Sequence, residues 1–290
     1  MPDHLTIIVP VFNEEDNVLP MANEVTAAFA KTNQPYELLF VDDASTDLTP
    51  RRIEEASAQF PNVRGVRHQV NSGQSAAFLT GLNATESPLI ATLDGDLQND
   101  PADLPKLLSK LNRSDFVCGV RAKRQDNWVR ILSTRIARLA RSLALGVDFA
   151  DTGCFLRVFH RSALDGVLPF NGWHRFLPVL VYSAGHSVEE VPVNHRPRTA
   201  GTSKYGVWNR LWRGIYDLIG VGWLQKRALQ PTPTTGDPVG STTRPSRRRP
   251  APRTKPDPVD TKSSPAPRRR PRPRAKKKAA NRNNRSSQRS

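Results

Sequence analysis

Over the first 120 residues, short β-rich runs alternate with helix-length segments, and this constrains the chain more than any other feature. The β-rich runs are Leu5–Pro10, Tyr36–Val41, Val63–His68, Leu89–Leu93 and Phe116–Val120. Between them lie Glu14–Lys31, Thr46–Gln59, Gln74–Thr85 and Ala102–Leu111, each long enough for a helix. Thr46 to Thr49 stand where an N-cap belongs, and Pro101 suits a helix's first turn, where its missing N–H costs no hydrogen bond. Strands that alternate with helices specify an α/β domain with a mostly parallel, Rossmann-like sheet flanked by helices. Such sheets bind ligands at the carboxyl ends of their strands.

Four polar clusters fall at those ends: Asn13-Glu14-Glu15, Asp42-Asp43, Asn71-Ser72-Gly73 and Asp94-Gly95-Asp96. One such cluster is an ordinary loop; four at one edge favour a site. In Asp94-Gly95-Asp96 two carboxylates flank a glycine directly after an apolar strand. Hard oxygens on a short loop suit Mg²⁺ or Mn²⁺, ions that take one or two carboxylates and fill the remaining positions with substrate phosphates. Gln98 lies two residues on. The plain alternative is an acidic turn that caps the helix after Pro101, and both roles are compatible.

The second half reads differently. Asn127–Leu145 is an amphipathic helix, with Trp128, Ile131, Leu132, Ile136, Leu139 and Leu143 on one stripe and Arg130, Arg135, Arg138 and Arg141 on a basic face. Cys154–Phe159 and Ser187–His195 read as strands, and 173–184 as a helix. Val207–Leu224 carries Trp208, Trp212, Tyr216 and Trp223 beside Arg210 and Arg213. Both amphipathic stretches, near 127–145 and 207–224, have the composition of interfacial helices, although a core-facing helix explains 127–145 equally well. No apolar stretch is long enough to span a bilayer.

Charge separates the body from a tail. Residues 231–290 hold 18 of the 43 Lys and Arg, three Asp and 12 of the 25 prolines, with no aromatic, Leu, Ile or Met. Such a segment cannot bury enough apolar surface to offset its ordering entropy, so 226–290 is expected to be a disordered basic tail behind a domain over 1–225. The body is near neutral, which excludes a simple nucleic-acid-binding domain; the tail itself suits anionic membranes, nucleic acid or acidic proteins. Cys118 and Cys154 form no zinc spacing. With no secretory leader, a reducing cytoplasmic setting is expected.

The motifs together resemble family 2 glycosyltransferases of the GT-A fold, in particular the polyprenyl-phosphate sugar transferases. The matching runs are Ile8-Val9-Pro10-Val11-Phe12-Asn13-Glu14-Glu15, Val41-Asp42-Asp43-Ala44-Ser45-Thr46-Asp47, Asn71-Ser72-Gly73-Gln74 and Leu93-Asp94-Gly95-Asp96-Leu97-Gln98. Asp151-Thr152-Gly153-Cys154 and Gly201-Thr202-Ser203-Lys204-Tyr205-Gly206 follow. The resemblance covers about residues 4–224.

The resemblance implies a role for each residue. Pro10, Phe12, Glu14 and Val41 line the nucleotide, and Asp43 accepts from its base. Asp94, Gly95 and Asp96 sit at the diphosphate, with Asp94, Asp96 and Gln98 around a divalent Mg²⁺ or Mn²⁺. Arg121 and Lys204 bind donor phosphates, and Arg121, Arg130 and Ser133 contact the acceptor phosphate. Asp151 joins Asp94 and Asp96 in the catalytic set. The reaction implied is inverting sugar transfer from a nucleotide-diphosphate donor, UDP-linked in preference to GDP-mannose, to a polyprenyl phosphate. It would occur on the cytoplasmic membrane face, with peripheral contact to anionic lipid. Bland alternatives accompany these roles: Glu14 favouring a helix N-terminus, Arg121 pairing with Asp126, Asn71 as a turn residue, and His174 and His195 as structural rather than general bases. The rival functions are a transferase for a soluble or polysaccharide acceptor and a non-catalytic protein acting through its tail.

Overall fold

The computed structural model describes residues 3–121, 142, 145–197 and 207–227, with side chains in the last stretch from 214 onward. Within them one sheet has seven strands in the order β3-β2-β1-β4-β6-β5-β7. These are β1 (Leu5–Val11), β2 (Tyr36–Asp42), β3 (Val63–Arg67), β4 (Leu89–Thr92), β5 (Phe116–Arg121), β6 (Arg157–His160) and β7 (Val188–Val193). β1 pairs in parallel with β2 and β4, β2 with β3, and β5 with β7. Only β6 runs against its neighbours, antiparallel to both β4 and β5. The mostly parallel sheet read from the alternation is therefore correct.

The central strands are buried and largely apolar because helices cover both faces, with Thr6 and Thr92 the buried polar residues of β1 and β4. Leu5, Ile7 and Val9 turn to one side, with Leu38, Phe40, Ala91 and Leu93. There they meet α1 (Val18–Phe29), α2 (Thr49–Gln59) and the short α4 (Leu104–Leu108). Ile8, Leu39, Val41 and Ile90 turn to the other side, under Ala77, Phe78 and Leu82 of α3 (Gln74–Asn83), beside Trp173 and beside Leu177 of α5 (Leu177–Ser183). The helix α6 (Val207–Arg227) docks through Leu218 and Val221 on Leu145, Phe149, Phe176 and Val179.

Several boundaries differ from the sequence reading. α1 begins at Val18 rather than Glu14, because residues 13–17 form a turn tied to the next loop. α2 begins at Thr49, and its N-cap position, Leu48, has no side-chain cap. Ala102–Leu111 resolves into a 3-10 turn, Pro101–Asp103, and α4; Asp100 caps that turn by accepting from Ala102 N at 3.0 Å, so the cap is neither Asp94 nor Asp96. The strand read from Cys154 starts at Arg157, and Ser187–His195 contracts to β7 plus an isolated bridge between Asn99 and His195. The helix read over 173–184 is a 3-10 turn, Trp173–Arg175, followed by α5. α6 runs to Arg227, past the expected domain end at 225. Most of the 127–145 helix and the tail from 228 lie outside the described residues. Both cysteines are free and buried.

Candidate active site at the carboxyl edge of the sheet

Among the described residues three non-glycine positions adopt left-handed backbone: Asn13 (φ 54°), Ala44 (φ 61°) and Leu97 (φ 57°). Each follows the carboxyl end of a parallel strand, β1, β2 or β4. Strain of this kind persists where surrounding structure enforces it, and it clusters at functional sites.

On the β1 and β2 side, the strand-end loops bind one another. Asn13 N donates to Ser45 Oγ at 2.9 Å, Thr46 N to Asn13 Oδ1 at 2.8 Å, and Glu14 N to Thr49 Oγ1 at 2.8 Å. Asp42 accepts from Ser45 N at 2.9 Å and pairs with Arg67 at 3.0 Å. Asp43 accepts from the backbone N–H of Ser72 (2.8 Å) and Gly73 (2.7 Å), and its Oδ1 lies 2.8 Å from His68 Nδ1. This closes the Asn71-Ser72-Gly73 loop over the start of α3. A carboxylate offers about four acceptor positions, so Asp43 keeps one for a further donor. Glu14 accepts from Asn17 Nδ2 at 2.6 Å. Pro10 and Phe12 are partly buried at the end of β1, whereas the Val41 side chain is fully buried under α3.

At the end of β4, amides orient Asp94: Gln74 Nε2 donates to Oδ1 at 2.9 Å and Asn99 Nδ2 to Oδ2 at 3.1 Å. Gly95 is needed for packing, since a Cβ there would stand 2.7 Å from Val11 Cγ1 and 3.1 Å from Pro10 O. Asp96 accepts from Gln98 N at 3.2 Å, and Gln98 Nε2 lies 3.5 Å from Arg196 O. Burial, then the neighbouring Asp96 charge, push Asp94 up to about 6. Two hard carboxylates that repel each other suit a divalent cation, which would relieve that repulsion. Among the described residues no three His, Cys, Asp or Glu side chains converge to hold a metal alone, so such an ion would complete its shell with substrate or water oxygens.

Across the edge, Arg121 at the end of β5 makes a two-point pair with Asp151, at 2.6 Å (Nε–Oδ2) and 2.8 Å (Nη2–Oδ1). Asp151 lies 30 residues away in sequence, and Asp126, the partner weighed from the sequence, lies outside the described residues. Gly153 leaves room for the pair: a Cβ there would lie 3.2 Å from Arg121 Nη2. Arg121 feels Asp94 as well as Asp151, which places the cation within electrostatic reach of the acidic pair. Arg157, on β6, is 1 % exposed. It donates to His174 O at 2.6 Å and Thr152 O at 3.0 Å, and its guanidinium lies 5.4 Å from the Phe155 ring centre. Burial pulls it below the usual arginine value.

His174 Nδ1 stands 2.6 Å from Ser75 Oγ, which already accepts from Gly172 N at 2.8 Å. If Nδ1 carried the proton, the buried Ser75 hydroxyl would lack an acceptor, so satisfaction of that hydroxyl assigns the imidazole hydrogen to Nε2. Burial, then the Arg175 and Arg157 charges, lower His174 to about 3. It is a neutral structural histidine, not a poised base.

The structure therefore gathers Pro10, Phe12, Glu14, Asp43, Asp94, Gly95, Asp96, Gln98, Arg121 and Asp151 at one edge. Arg130, Ser133 and Lys204 lie outside the described residues. The sequence reading gave no role to Gln74, Ser75, His68, Asn99 or Arg157. For Arg157 the available signal was a charge in the middle of an apolar strand run.

This sheet order and edge define a class, the nucleotide-diphospho-sugar transferases of the GT-A fold. Residues 6–168 match the family described as glycosyl transferase family 2, and the chain belongs to that family. It is 36 % identical over 233 residues to dodecaprenyl-phosphate galacturonate synthase of Rhizobium johnstonii, covering 78 % of this chain and 69 % of that one. It is 34 % identical over 217 residues to undecaprenyl-phosphate 4-deoxy-4-formamido-L-arabinose transferase of Aeromonas hydrophila, covering 74 % and 66 %. The chain thus spans about two thirds of the length of these relatives. Mannosyl-3-phosphoglycerate synthase of Rubrobacter xylanophilus shares the fold with a TM-score of 0.59 at 17 % identity, over 81 % of this chain and 79 % of that one. So does glucosyl-3-phosphoglycerate synthase of Mycobacterium tuberculosis, solved with Mn²⁺, UDP and glucosyl-3-phosphoglycerate, with a TM-score of 0.57 at 16 % identity over 79 % and 82 %.

Proposed function

We propose that this enzyme moves a sugar, with inversion, from a nucleoside-diphosphate donor to a polyprenyl monophosphate, a UDP-sugar being favoured over GDP-mannose. The observation that carries the reading is the acidic pair at the end of β4 within electrostatic reach of the Arg121–Asp151 pair at the end of β5. Asp94 and Asp96 would hold Mg²⁺ or Mn²⁺, with the Gln98 carbonyl as a further ligand, and the ion would neutralise charge on the departing diphosphate. Pro10, Phe12, Glu14 and the strand end at Val41 shape the nucleotide site, and the remaining acceptor position on Asp43 takes a base N–H. Asp151 fixes the Arg121 fork so that its N–H groups meet phosphate oxygens in one geometry. Arg130, Ser133 and Lys204 add contacts to the phosphates.

A phosphate monoester has a second pKa of about 6 and is largely dianionic at pH 7. It arrives as its own nucleophile, so no general base is required, in keeping with a neutral His174. The lipid acceptor calls for contact with a bilayer. Among the described residues no helix is long and apolar enough to cross one. Ile215, Tyr216, Ile219 and Trp223 form an exposed apolar face on α6, which suits peripheral binding at the cytoplasmic surface. The basic tail would add roughly 1 kcal/mol per Lys or Arg held near anionic lipid.

The test is transfer from radiolabelled UDP- and GDP-sugars to undecaprenyl phosphate with Mn²⁺ or Mg²⁺. A chloroform-soluble sugar product, reduced by about 10³-fold in Asp96→Ala, is expected. Nucleotide binding with no lipid product from any donor would overturn the acceptor assignment.

A further inference from the structure

Arg157 has an environment that stability alone does not explain. It is a fully buried guanidinium, and among the described residues no carboxylate forms an ion pair with it. Its Nε is buried without a hydrogen-bond partner. Burying an unpaired charge is costly, and a well-packed apolar side chain of similar volume often serves stability as well or better. What Arg157 contributes is a span. Nη2 holds the carbonyl of Thr152, next to Asp151, and Nη1 holds the carbonyl of His174.

Each carbonyl belongs to a turn committed to one side of the site. The Asp151-Thr152-Gly153 turn carries the carboxylate that fixes Arg121. The Gly172–Arg175 turn is bound to the first turn of α3: Gly172 N and His174 Nδ1 both meet Ser75 Oγ, and Trp173 Nε1 donates to Ser75 O at 3.3 Å. The next residue back, Gln74, donates to Asp94. A continuous path of bonds thus runs from Arg121 through Asp151, Arg157, His174 and Ser75 to Gln74 and Asp94. The antiparallel direction of β6 makes this possible, because its first residue then lies opposite Thr92, the last residue of β4, and Cys118, in the middle of β5.

We propose that Arg157 is a positioning residue that clamps the Asp151–Gly153 turn to the Gly172–Arg175 turn, and so holds the Arg121–Asp151 pair in register with the Asp94–Asp96 pair. The inference rests on the proposed transferase reading for its kinetic consequence, but its structural half stands apart from that reading. Arg157→Met keeps bulk and removes both donations. Arg157→Lys keeps the charge, but its single ammonium cannot span both carbonyls with the planar fork of the guanidinium.

The test on the full chain combines amide hydrogen exchange with thermal unfolding and transfer kinetics. In Arg157→Met, exchange is expected to rise about tenfold in peptides covering 150–156 and 170–177 and to stay unchanged in β1 to β3. The kcat for transfer should fall about 10²-fold, a scale reached by small misplacements of reacting groups, while the donor KM changes by less than about threefold. Arg157→Lys should recover protection in at most one of the two turns and should not restore kcat. Uniformly faster exchange with a large loss of Tm would make Arg157 merely structural. Unchanged exchange in both turns, or full rescue by lysine, would equally overturn the clamp. If the wild-type protein makes no lipid-linked product, the acceptor assignment fails while the exchange experiment still decides the clamp.

Discussion

The ends of β1 and β2 are held by backbone N–H groups that donate to side chains of neighbouring strand-end loops, whereas the end of β5 and the start of β6 are held by two arginine side chains. On the first side the carboxylates and hydroxyls of 13–15, 42–49 and 71–73 accept backbone N–H groups from one another. On the second, Arg121 grips Asp151 and Arg157 grips two carbonyls. The first side is therefore complete within the protein itself, and on the proposed reading its groups shape a nucleotide pocket. The second side keeps its geometry through charged groups, one of which, Arg121, is also the proposed phosphate contact. Damage to the first should be felt in folding and donor affinity, and damage to the second in turnover.

Asp151→Asn is the strongest way to break that division. The substitution preserves shape but leaves Arg121 with one neutral oxygen where it had a two-point charged partner. The kcat is expected to fall by about 10²-fold with donor KM changed by less than about threefold. Steady-state transfer with each substrate varied in turn checks this. A loss carried mainly by donor KM would show that Arg121 serves nucleotide binding and that the two sides are not separate.

Asp43→Asn sharpens the comparison from the other side. An amide nitrogen would replace an oxygen that now accepts from Ser72 N, Gly73 N or His68 in a buried setting. The loss should be about 2–3 kcal/mol of stability, read as a lower urea midpoint at unchanged m-value. A donor KM raised about tenfold with kcat held within a few-fold is expected alongside it. An unaltered midpoint would mean that this loop network does not hold the donor side.

The same asymmetry decides what could be read from the sequence. The donor side was legible because each polar run is contiguous and follows an apolar strand, so Asn13-Glu14, Asp42-Asp43 and Asp94-Gly95-Asp96 could be placed on one edge. Helix starts were misplaced there because Asn13 and Ala44 take left-handed backbone without the glycine that usually announces it. On the other side each anchor is a single arginine whose partners no motif announces. The sequence offered Asp126 as a partner for Arg121, and only the fold brings Asp151 to it. Arg157 in Leu156-Arg157-Val158 received no role from the sequence; it is buried because β6 lies between β4 and β5, with Phe155 and the His174 turn against its guanidinium.

The smallest expected effect concerns His174, which sits on the path between the two sides. Burial lowers it to about 3 from an ordinary value of 6.5. Between those values the unfolded chain binds a proton that the native imidazole refuses, so this group's contribution to stability is fully present above pH 6.5 and shrinks as the pH falls. His174→Asn places an acceptor oxygen near the position of Nδ1, keeps the Ser75 hydroxyl satisfied and removes the titration. From pH 7 to pH 5 the wild-type Tm should therefore drop by a few degrees more than that of the variant, a shift of the size a ~1 kcal/mol change produces in a domain this large. Thermal scans by circular dichroism at the two pH values measure the difference. Equal drops would mean that His174 takes up a proton in the folded state, and the neutral Nε2–H form assigned through Ser75 would then be wrong.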